Sequence, residues 1–171
     1  MLTRFFRVII VLFVLFVLSS CTDDDSILIK SKQEQLEFDI LRIEGYLNEN
    51  NLSGFTSLDN GLYYKVIEEG NALFPVNGDT LKVNYVGQFL NGIEFDRNGT
   101  GQPFEFILGK GLVIQGWDIG LKYIDEEGTG IFIIPSGLGY GNTVSGSIPP
   151  NSVLVFRVSL LDIKWWNILF I

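Results

Sequence analysis

The chain has 171 residues, 47% of them hydrophobic, so we expect one domain with appendages. Its 20 acidic residues outnumber 12 basic ones, and the net charge of -8 argues against a nucleic-acid partner, because an acidic surface repels phosphates. Without histidine and with a single cysteine, the sequence excludes transition-metal sites, internal disulfides and catalytic triads that use histidine as the base.

Residues 1–20 have the parts of a lipoprotein signal peptide. Arg4 and Arg7 supply positive charge, and the apolar run 8–18 that follows is shorter than the roughly 20 residues of a membrane span. Leu18-Ser19-Ser20-Cys21 then resembles the bacterial lipobox, in which the cysteine is acylated. We therefore expect a lipid anchor on Cys21 and a place in the cell envelope of a bacterium, at the outer membrane. An ordinary cleaved signal and an uncleaved anchor are the alternatives.

An acidic run follows the cysteine at Thr22-Asp23-Asp24-Asp25. Acidic runs are usually solvated spacers, so residues 21–30 are interpreted as an acidic tether. The run also resembles the tag that some Gram-negative bacteria place after the lipid-bearing cysteine of surface lipoproteins. Both interpretations stay open at this point.

A helical extension is predicted over residues 31–54. Ser31 and Glu34 have the spacing of a capping box. Apolar residues then recur on one helical face, at Leu36, Ile40, Ile43 and Leu47. The helix is predicted to end near Asn50, before Gly54. Such a helix spaces the domain from the membrane, packs on the domain, or pairs with a partner; packing is the commonest of the three.

From about Gly61 the pattern changes to strands, and we assign a domain to residues 61–164. Alternating or β-branched runs predict five strands, at 62–67, 80–87, 103–108, 129–134 and 153–163. A short helix is predicted over 115–121. This order of elements predicts an α+β fold with a mainly antiparallel sheet.

The C-terminal tail, residues 165–171, is apolar or aromatic at six of its seven positions. We expect it to extend the last strand or to cover an apolar face. Contact with a membrane interface or a partner is the alternative, because tryptophan favours such places.

Three motifs carry the chemistry, and they contain apolar and aromatic residues, glycines and two prolines but no nucleophile: Val113-Ile114-Gln115-Gly116-Trp117, Gly137-Leu138-Gly139-Tyr140-Gly141 and Ile148-Pro149-Pro150. A site of this kind suits a reaction whose transition state is less polar than its ground state. Rotation about an X-Pro peptide bond is such a reaction, because twisting the bond breaks its conjugation.

Four further motifs complete the pattern, namely Val83-Asn84-Tyr85-Val86-Gly87, Phe95-Asp96, Pro103-Phe104-Glu105-Phe106 and Leu154-Val155-Phe156. In order and spacing the whole set resembles the FK506-binding-protein (FKBP) family of peptidyl-prolyl cis/trans isomerases, from about Gly61 to Ile163. The resemblance implies a bent antiparallel sheet of about five strands wrapped around one short helix. It also implies a cofactor-free, metal-free isomerase that acts on proline-containing protein segments.

The resemblance further implies a set of site residues. Asp96 and Tyr140 would be catalytic, and Trp117 would form the floor under the proline ring. The remaining substrate contacts would be Tyr85, Phe95, Phe104, Val113, Ile114, Ile148 and Phe156. Taken singly, most of these residues are as readily explained as core or turn positions.

The loop from Asp96 to Pro103 departs from the family pattern. It is one residue shorter than in typical small members, and Thr100 replaces a usual arginine. Arg97 is expected to pair with Asp96 in its place. These departures are expected to weaken macrolide binding more than isomerisation. They also keep open a non-catalytic chaperone or binding module, or an assembly factor of an envelope machine.

Overall fold

The structure of this chain, a computed structural model, describes residues 23–99 and 101–165. The described residues belong to two units that divide between Glu34 and Gln35, and the sheet and the site lie in the second. The predicted signal peptide 1–20 and Cys21 lie outside the described residues.

The described part of the second unit contains seven strands and a short α-helix, besides the end of a long helix. Helix α1 spans Asp23–Glu49 and helix α2 spans Gln115–Gly120. The strands are β1 Thr56–Ser57, β2 Tyr63–Glu68, β3 Thr80–Phe89, β4 Glu94–Arg97, β5 Phe104–Ile107, β6 Thr129–Ile134 and β7 Leu154–Lys164. Short 3-10 helices occupy Leu121–Tyr123 and Ser136–Leu138.

All seven strands form one antiparallel sheet in the order β1-β2-β6-β7-β3-β4, with β5 also paired to β3. Strand β3 is long enough for two partners to share its outer edge. Strand β5 pairs with Thr80–Val83, and β4 pairs with Val86–Gln88. Between β4 and β5 the chain therefore departs from the outer edge of β3. The candidate site lies beside this interruption in the strand pairing.

The predicted α+β fold is confirmed, with corrections to its elements. All five predicted strands are present within one or two residues of their predicted bounds. Strands β1 and β4 were not predicted. Strand β1 has only two residues and β4 is a charged segment of four, so neither shows a clear alternation of apolar and polar residues. The sheet consequently begins at Thr56 rather than at the predicted domain start, Gly61.

Helix α1 begins earlier than predicted. It starts at Asp23, so the supposed cap at Ser31 lies inside the helix, and most of the predicted tether 21–30 is helical. The reason is visible in the sequence, because no proline or glycine interrupts the chain between Asp23 and Ser31. The helix then ends at Glu49, close to the predicted end.

From Gln35 onward helix α1 packs on its own domain, one of the three roles left open by the sequence. Ile43, on the predicted apolar face, is fully buried against Ile133 and Val153. This small core lies on the face of the sheet opposite the main core, because Phe132 and Ile134, which flank Ile133 on β6, belong to the main cluster.

Helix α2 lies directly against β6 on the main-core side. A Cβ atom added to Gly116 would come within 2.5 Å of Ile134, and one added to Gly120 within 2.8 Å of Phe132. Only glycine permits so close an approach of helix and strand. The helix thereby places Trp117, between these glycines, deep in the main core.

A bulge near the end of β7 keeps the core continuous. The pairing shifts from Val83–Leu160 to Lys82–Asp162, which leaves Leu161 as the extra residue. Because side chains alternate along a strand, the extra residue allows both Leu160 and Ile163 to be buried.

The C-terminal tail lies mostly beyond the described residues. Strand β7 ends at Lys164, and Trp165 is 59% exposed, while residues 166–171 fall outside. Within residues 23–99 and 101–165 no helix combines the length and hydropathy of a membrane span. The roles proposed for the tail stay predictions.

Asp125 is buried and anchors the turn before β3. Its carboxylate accepts N–H bonds from Gly70 at 3.0 Å and from Ala72 at 2.8 Å. Burial alone raises the pKa of the Asp125 carboxyl, but these donors together outweigh burial and hold the pKa below its ordinary value of 3.8. The stability that Asp125 contributes is therefore present at neutral pH and is lost as pH falls through its folded-state pKa.

We expect Asp125→Asn to lower the free energy of unfolding by about 2–3 kcal/mol at pH 7, and by less at pH 3, because below the ordinary pKa of 3.8 unfolding lets Asp125 take up a proton and wild type loses part of this stability. Urea unfolding at both pH values measures this difference. Asp59→Asn, at an exposed carboxylate, is the control and should change neither value. An equal loss for Asp125→Asn at both pH values would contradict the assignment.

Candidate active site

A cleft of about 160 Å³ opens beside the break between β4 and β5. It is lined by Tyr85, Asp96, Phe104, Leu112, Val113, Ile114, Trp117, Tyr140 and Phe156. Eight of the ten predicted site residues meet here, although they come from four strands, helix α2 and two loops. The sheet and helix thus assemble one site from distant parts of the chain.

Trp117 forms the base of the cleft and is only 3% exposed. Its ring meets the edges of two neighbours, with centroid distances of 5.0 Å to Tyr85 and 5.2 Å to Phe156. Phe104 and Phe106 lie within 6.3 Å of it on the β5 side. Trp117 and these four rings form a rigid concave surface of low polarity, which we call the aromatic bowl.

Asp96 and Tyr85 provide the polar side of the cleft. The Tyr85 hydroxyl donates a hydrogen bond of 2.8 Å to the Asp96 carboxylate. Burial, and next the hydrogen bond with Asp96, raise the pKa of Tyr85 to about 12. The hydroxyl therefore stays protonated at physiological pH, and the stability from its interactions is lost only as pH rises toward 12.

Asn98 fastens the loop that follows β4. Its side-chain oxygen accepts the Tyr85 N–H at 2.8 Å, and its amide nitrogen donates to the Gln102 carbonyl at 2.9 Å. The loop between Asp96 and Pro103 is therefore tied to β3 beside the cleft. Thr100, within this loop, lies outside the described residues. Sequence reasoning missed Asn98, because nothing local distinguishes it from an ordinary turn residue.

Tyr140 reaches the cleft from the loop after β6 and is 37% exposed. Burial, and next the negative charge of Asp96, raise the pKa of its hydroxyl above the ordinary value of 10.0. Gly141 has a φ of +63°, a left-handed conformation that glycine adopts without strain. The Tyr140 hydroxyl thus stands as a protonated donor near the Asp96 carboxylate.

Two predicted contact residues, Phe95 and Ile148, do not line the cleft. Phe95 packs behind it, with its ring 5.5 Å from that of Phe156. The pairing of β3 with β4 shifts between Gly87–Asp96 and Gln88–Glu94, and this bulge re-aims Phe95. Ile148 is buried in the main core cluster and is absent from the residues that line the cleft.

Two further corrections concern Leu112 and Arg97. Leu112, 62% exposed, lines the cleft but was missed, because the glycine-rich loop that holds it has no periodicity. Arg97 does not pair with Asp96. Its guanidinium binds both carboxylate oxygens of Glu94, because Arg97 points to the opposite face of the sheet.

A larger cavity of about 530 Å³ lies on that opposite face. Mostly apolar residues line it, together with the basic side chains of Lys65, Arg97 and Arg157, and no carboxylate of the described residues does. None of the predicted site residues reaches it. The smaller cleft is the candidate site because Asp96, Tyr85 and Tyr140 converge there over an aromatic floor.

The groups in this cleft are suited to non-covalent binding. It offers aromatic surface, two protonated hydroxyls and one carboxylate. Among the described residues no cluster of potential metal ligands is found. An arrangement of this kind binds a compact apolar group and places a few polar atoms at its edge.

The comparisons with known proteins agree with this geometry. The family model described as FKBP-type peptidyl-prolyl cis-trans isomerase matches residues 72–161. Escherichia coli (strain K12) FkpA, an FKBP-type peptidyl-prolyl cis-trans isomerase, is 45% identical over 112 residues, which are 65% of this chain and 41% of that protein. FK506-binding protein 4 of Neurospora crassa is 49% identical over 88 residues, 52% of this chain and 19% of that protein. The chain therefore spans less than half the length of either curated relative.

Two solved structures are also similar. The crystal structure of Escherichia coli FkpA has a TM-score of 0.65 at 34% identity, covering 92% of this chain and 81% of that one. A peptidyl-prolyl cis-trans isomerase from Pseudomonas syringae has a TM-score of 0.63 at 26% identity, covering 75% and 96% respectively.

Proposed function

The chain belongs to the FKBP-type peptidyl-prolyl cis-trans isomerase family, and on this basis we propose that it catalyses cis/trans isomerisation of X-Pro bonds in proteins that fold in the cell envelope. The observation that carries the proposal is the convergence of Asp96, Tyr85 and Tyr140 over the Trp117 floor.

The reaction needs shape and low polarity rather than bond-making groups. An X-Pro bond has a rotation barrier of about 18–20 kcal/mol and isomerises unaided in about 10–100 s. During rotation the carbonyl oxygen becomes less negative, because conjugation with nitrogen is lost. An aromatic cleft therefore stabilises the twisted amide more than the planar one, which is the condition for catalysis.

Each residue lining the cleft has a role in this proposal. The proline ring lies on Trp117, and Tyr140 with the Ile114 N–H holds substrate carbonyls. Asp96 is the charge beside the twisting bond, oriented by the Tyr85 hydroxyl. The walls are Tyr85, Phe104, Val113, Ile114 and Phe156, with Leu112 at the rim. Phe95 and Ile148 support this surface from behind instead of touching substrate.

The test is a protease-free isomerisation assay on a proline-containing tetrapeptide, with the purified chain in detergent. We expect acceleration over the spontaneous rate without added metal or cofactor. A well-folded sample that binds the peptide without acceleration would reject the isomerase and favour the alternative of a chaperone or binding module. Macrolide affinity, expected to be weak, is measured separately by competition.

We further propose that the chain is lipid-anchored through Cys21 at the outer membrane of a bacterium. The support is the lipobox-like Leu18-Ser19-Ser20-Cys21 after the apolar run. Which side of the membrane the domain faces is tested by protease treatment of intact cells, where cleavage supports surface display by the acidic tag.

Cys21→Ser is expected to move the protein out of the membrane fraction or to leave it unprocessed. Cell fractionation with immunoblotting measures this, and Ser20→Ala, which keeps a small residue before the cysteine, is the control. Processed Cys21→Ser protein that stays in the membrane fraction would contradict the lipid anchor and point to the C-terminal tail.

A further inference from the structure

The loop that carries Tyr140 is held at one end by helix α1. Asp39, on the helix, is fully buried, and its Oδ2 atom accepts the Ser136 N–H at 2.7 Å. Its other oxygen accepts a hydrogen bond of 3.0 Å from Gln35. Ser136 is four residues before Tyr140, so the helix fixes the entry to the loop.

The same helix holds the far end of the loop. Arg42, one turn after Asp39, donates to the Asn151 carbonyl at 3.1 Å and lies 3.8 Å from the Asp39 carboxylate. Asn151 has a φ of +54°, an uncommon conformation for a residue with a side chain. One ion pair on the helix thus contacts both ends of a loop that begins at Ser136 and closes at Asn151.

Inside the loop, backbone hydrogen bonds connect these two anchor points to the residues beside Tyr140. The Ser136 carbonyl accepts the N–H groups of Gly139 at 3.0 Å and Gly141 at 2.8 Å. The Gly141 carbonyl accepts the Asn151 N–H at 2.7 Å. Because Tyr140 stands between two glycines, the backbone on either side of it is permissive, and these bonds restrict where the Tyr140 backbone places its side chain.

We propose that Asp39 and Arg42 are positioning residues of the site and that helix α1 holds the Tyr140 hydroxyl in place over the cleft. This inference rests on the proposed function. A buried carboxylate on an apolar helix face adds little stability over a leucine, so its value lies in the specific geometry it imposes. Here that geometry is a chain of hydrogen bonds through Asp39, Ser136, Gly141, Asn151 and Arg42, closed into a ring by the ion pair between Arg42 and Asp39.

A double-mutant cycle on the full chain tests the proposal. Asp39→Ala is expected to lower kcat/KM about fivefold when Tyr140 is present, and less than about twofold in the Tyr140→Phe background. Peptide isomerisation gives kcat/KM for the four proteins. An equal loss in both backgrounds, or no loss in a folded Asp39→Ala, overturns the proposal.

Arg42 provides a second variant if Asp39→Ala does not fold, because its side chain is partly exposed. Arg42→Ala should show the same dependence on Tyr140, and Arg42→Lys, which keeps a donor, should recover part of the activity. Leu47→Ala is the matched control, since it weakens packing of the helix without touching the loop. A loss in Leu47→Ala equal to that in Arg42→Ala would assign the effect to helix packing and reject positioning.

Amide hydrogen exchange separates this inference from the proposed function. Exchange at Gly141 and Asn151 should be faster in Asp39→Ala than in wild type, and unchanged in Leu47→Ala. If the wild-type chain catalyses no isomerisation, faster exchange in Asp39→Ala still supports the conclusion that helix α1 fixes the loop. Unchanged exchange overturns it whether or not the chain is an enzyme.

Discussion

Trp117→Ala is expected to lower the free energy of unfolding by about 3–5 kcal/mol and to weaken peptide binding at least about thirtyfold. The side chain is buried at the centre of the aromatic bowl and is contacted by Tyr85 and Phe156. Its removal leaves a cavity in the main core and deletes the surface on which the proline ring is proposed to lie. Urea unfolding and calorimetric titration with a proline peptide measure the two effects.

Two controls separate the effect on the fold from the effect on the site. Leu62→Ala removes a fully buried side chain of the same core that does not line the cleft, so it should destabilise the fold but leave peptide affinity unchanged below the unfolding transition. Trp117→Phe should restore most of the stability and part of the affinity. Unchanged stability in Trp117→Ala would show that the residue is not packed as described.

Asp96→Ala is expected to lower kcat/KM roughly tenfold, while peptide affinity changes less than about twofold, because the proposed interaction is stronger in the twisted state than in the ground state. Among residues 23–99 and 101–165, Asp96 is the only carboxylate that lines the cleft, and it is oriented by Tyr85. Isomerisation rates and equilibrium titration on the same protein separate the two quantities.

Glu94→Ala provides the matched control for Asp96→Ala. Glu94 lies on the same strand, but its carboxylate pairs with Arg97 on the side away from the cleft. Its removal should leave kcat/KM unchanged. Tyr85→Phe, which removes the hydrogen bond but keeps the ring, should fall between wild type and Asp96→Ala. If Asp96→Ala retains full activity, the carboxylate has no part in the reaction.

Much of the fold could be predicted because its signals are local. Strand β6 was predicted at its observed bounds, Thr129–Ile134, since this segment contains the apolar run 131–134 and lies between Gly128 and Pro135. Strand β4 was missed because its pairing depends on β3 and on a bulge at Phe95 rather than on its own pattern. The start of α1 was misplaced because a capping-box spacing also occurs inside helices.

The site could be predicted because the spacing of its motifs is specific. Residues that contact one another only across strands, such as Tyr85 and Asp96, were grouped through the family pattern and meet in the structure. Leu112 was missed, and Ile148, expected as a substrate contact, is buried in the core, because exposure and burial in irregular loops leave no periodic trace.

The sequence by itself excluded catalytic triads that use histidine and disulfides within the chain, because the absence of histidine and the single cysteine hold in any conformation. Together with the family resemblance it also predicted most strand positions and eight of the residues that line the cleft. Only the tertiary structure decided that Arg97 turns away from Asp96 and that helix α1 holds the Tyr140 loop. The bonds from Asp39 to Ser136 and from Arg42 to Asn151 join residues 97 and 109 positions apart. No local pattern records contacts of that range, because they exist only once sheet, loop and helix have packed together.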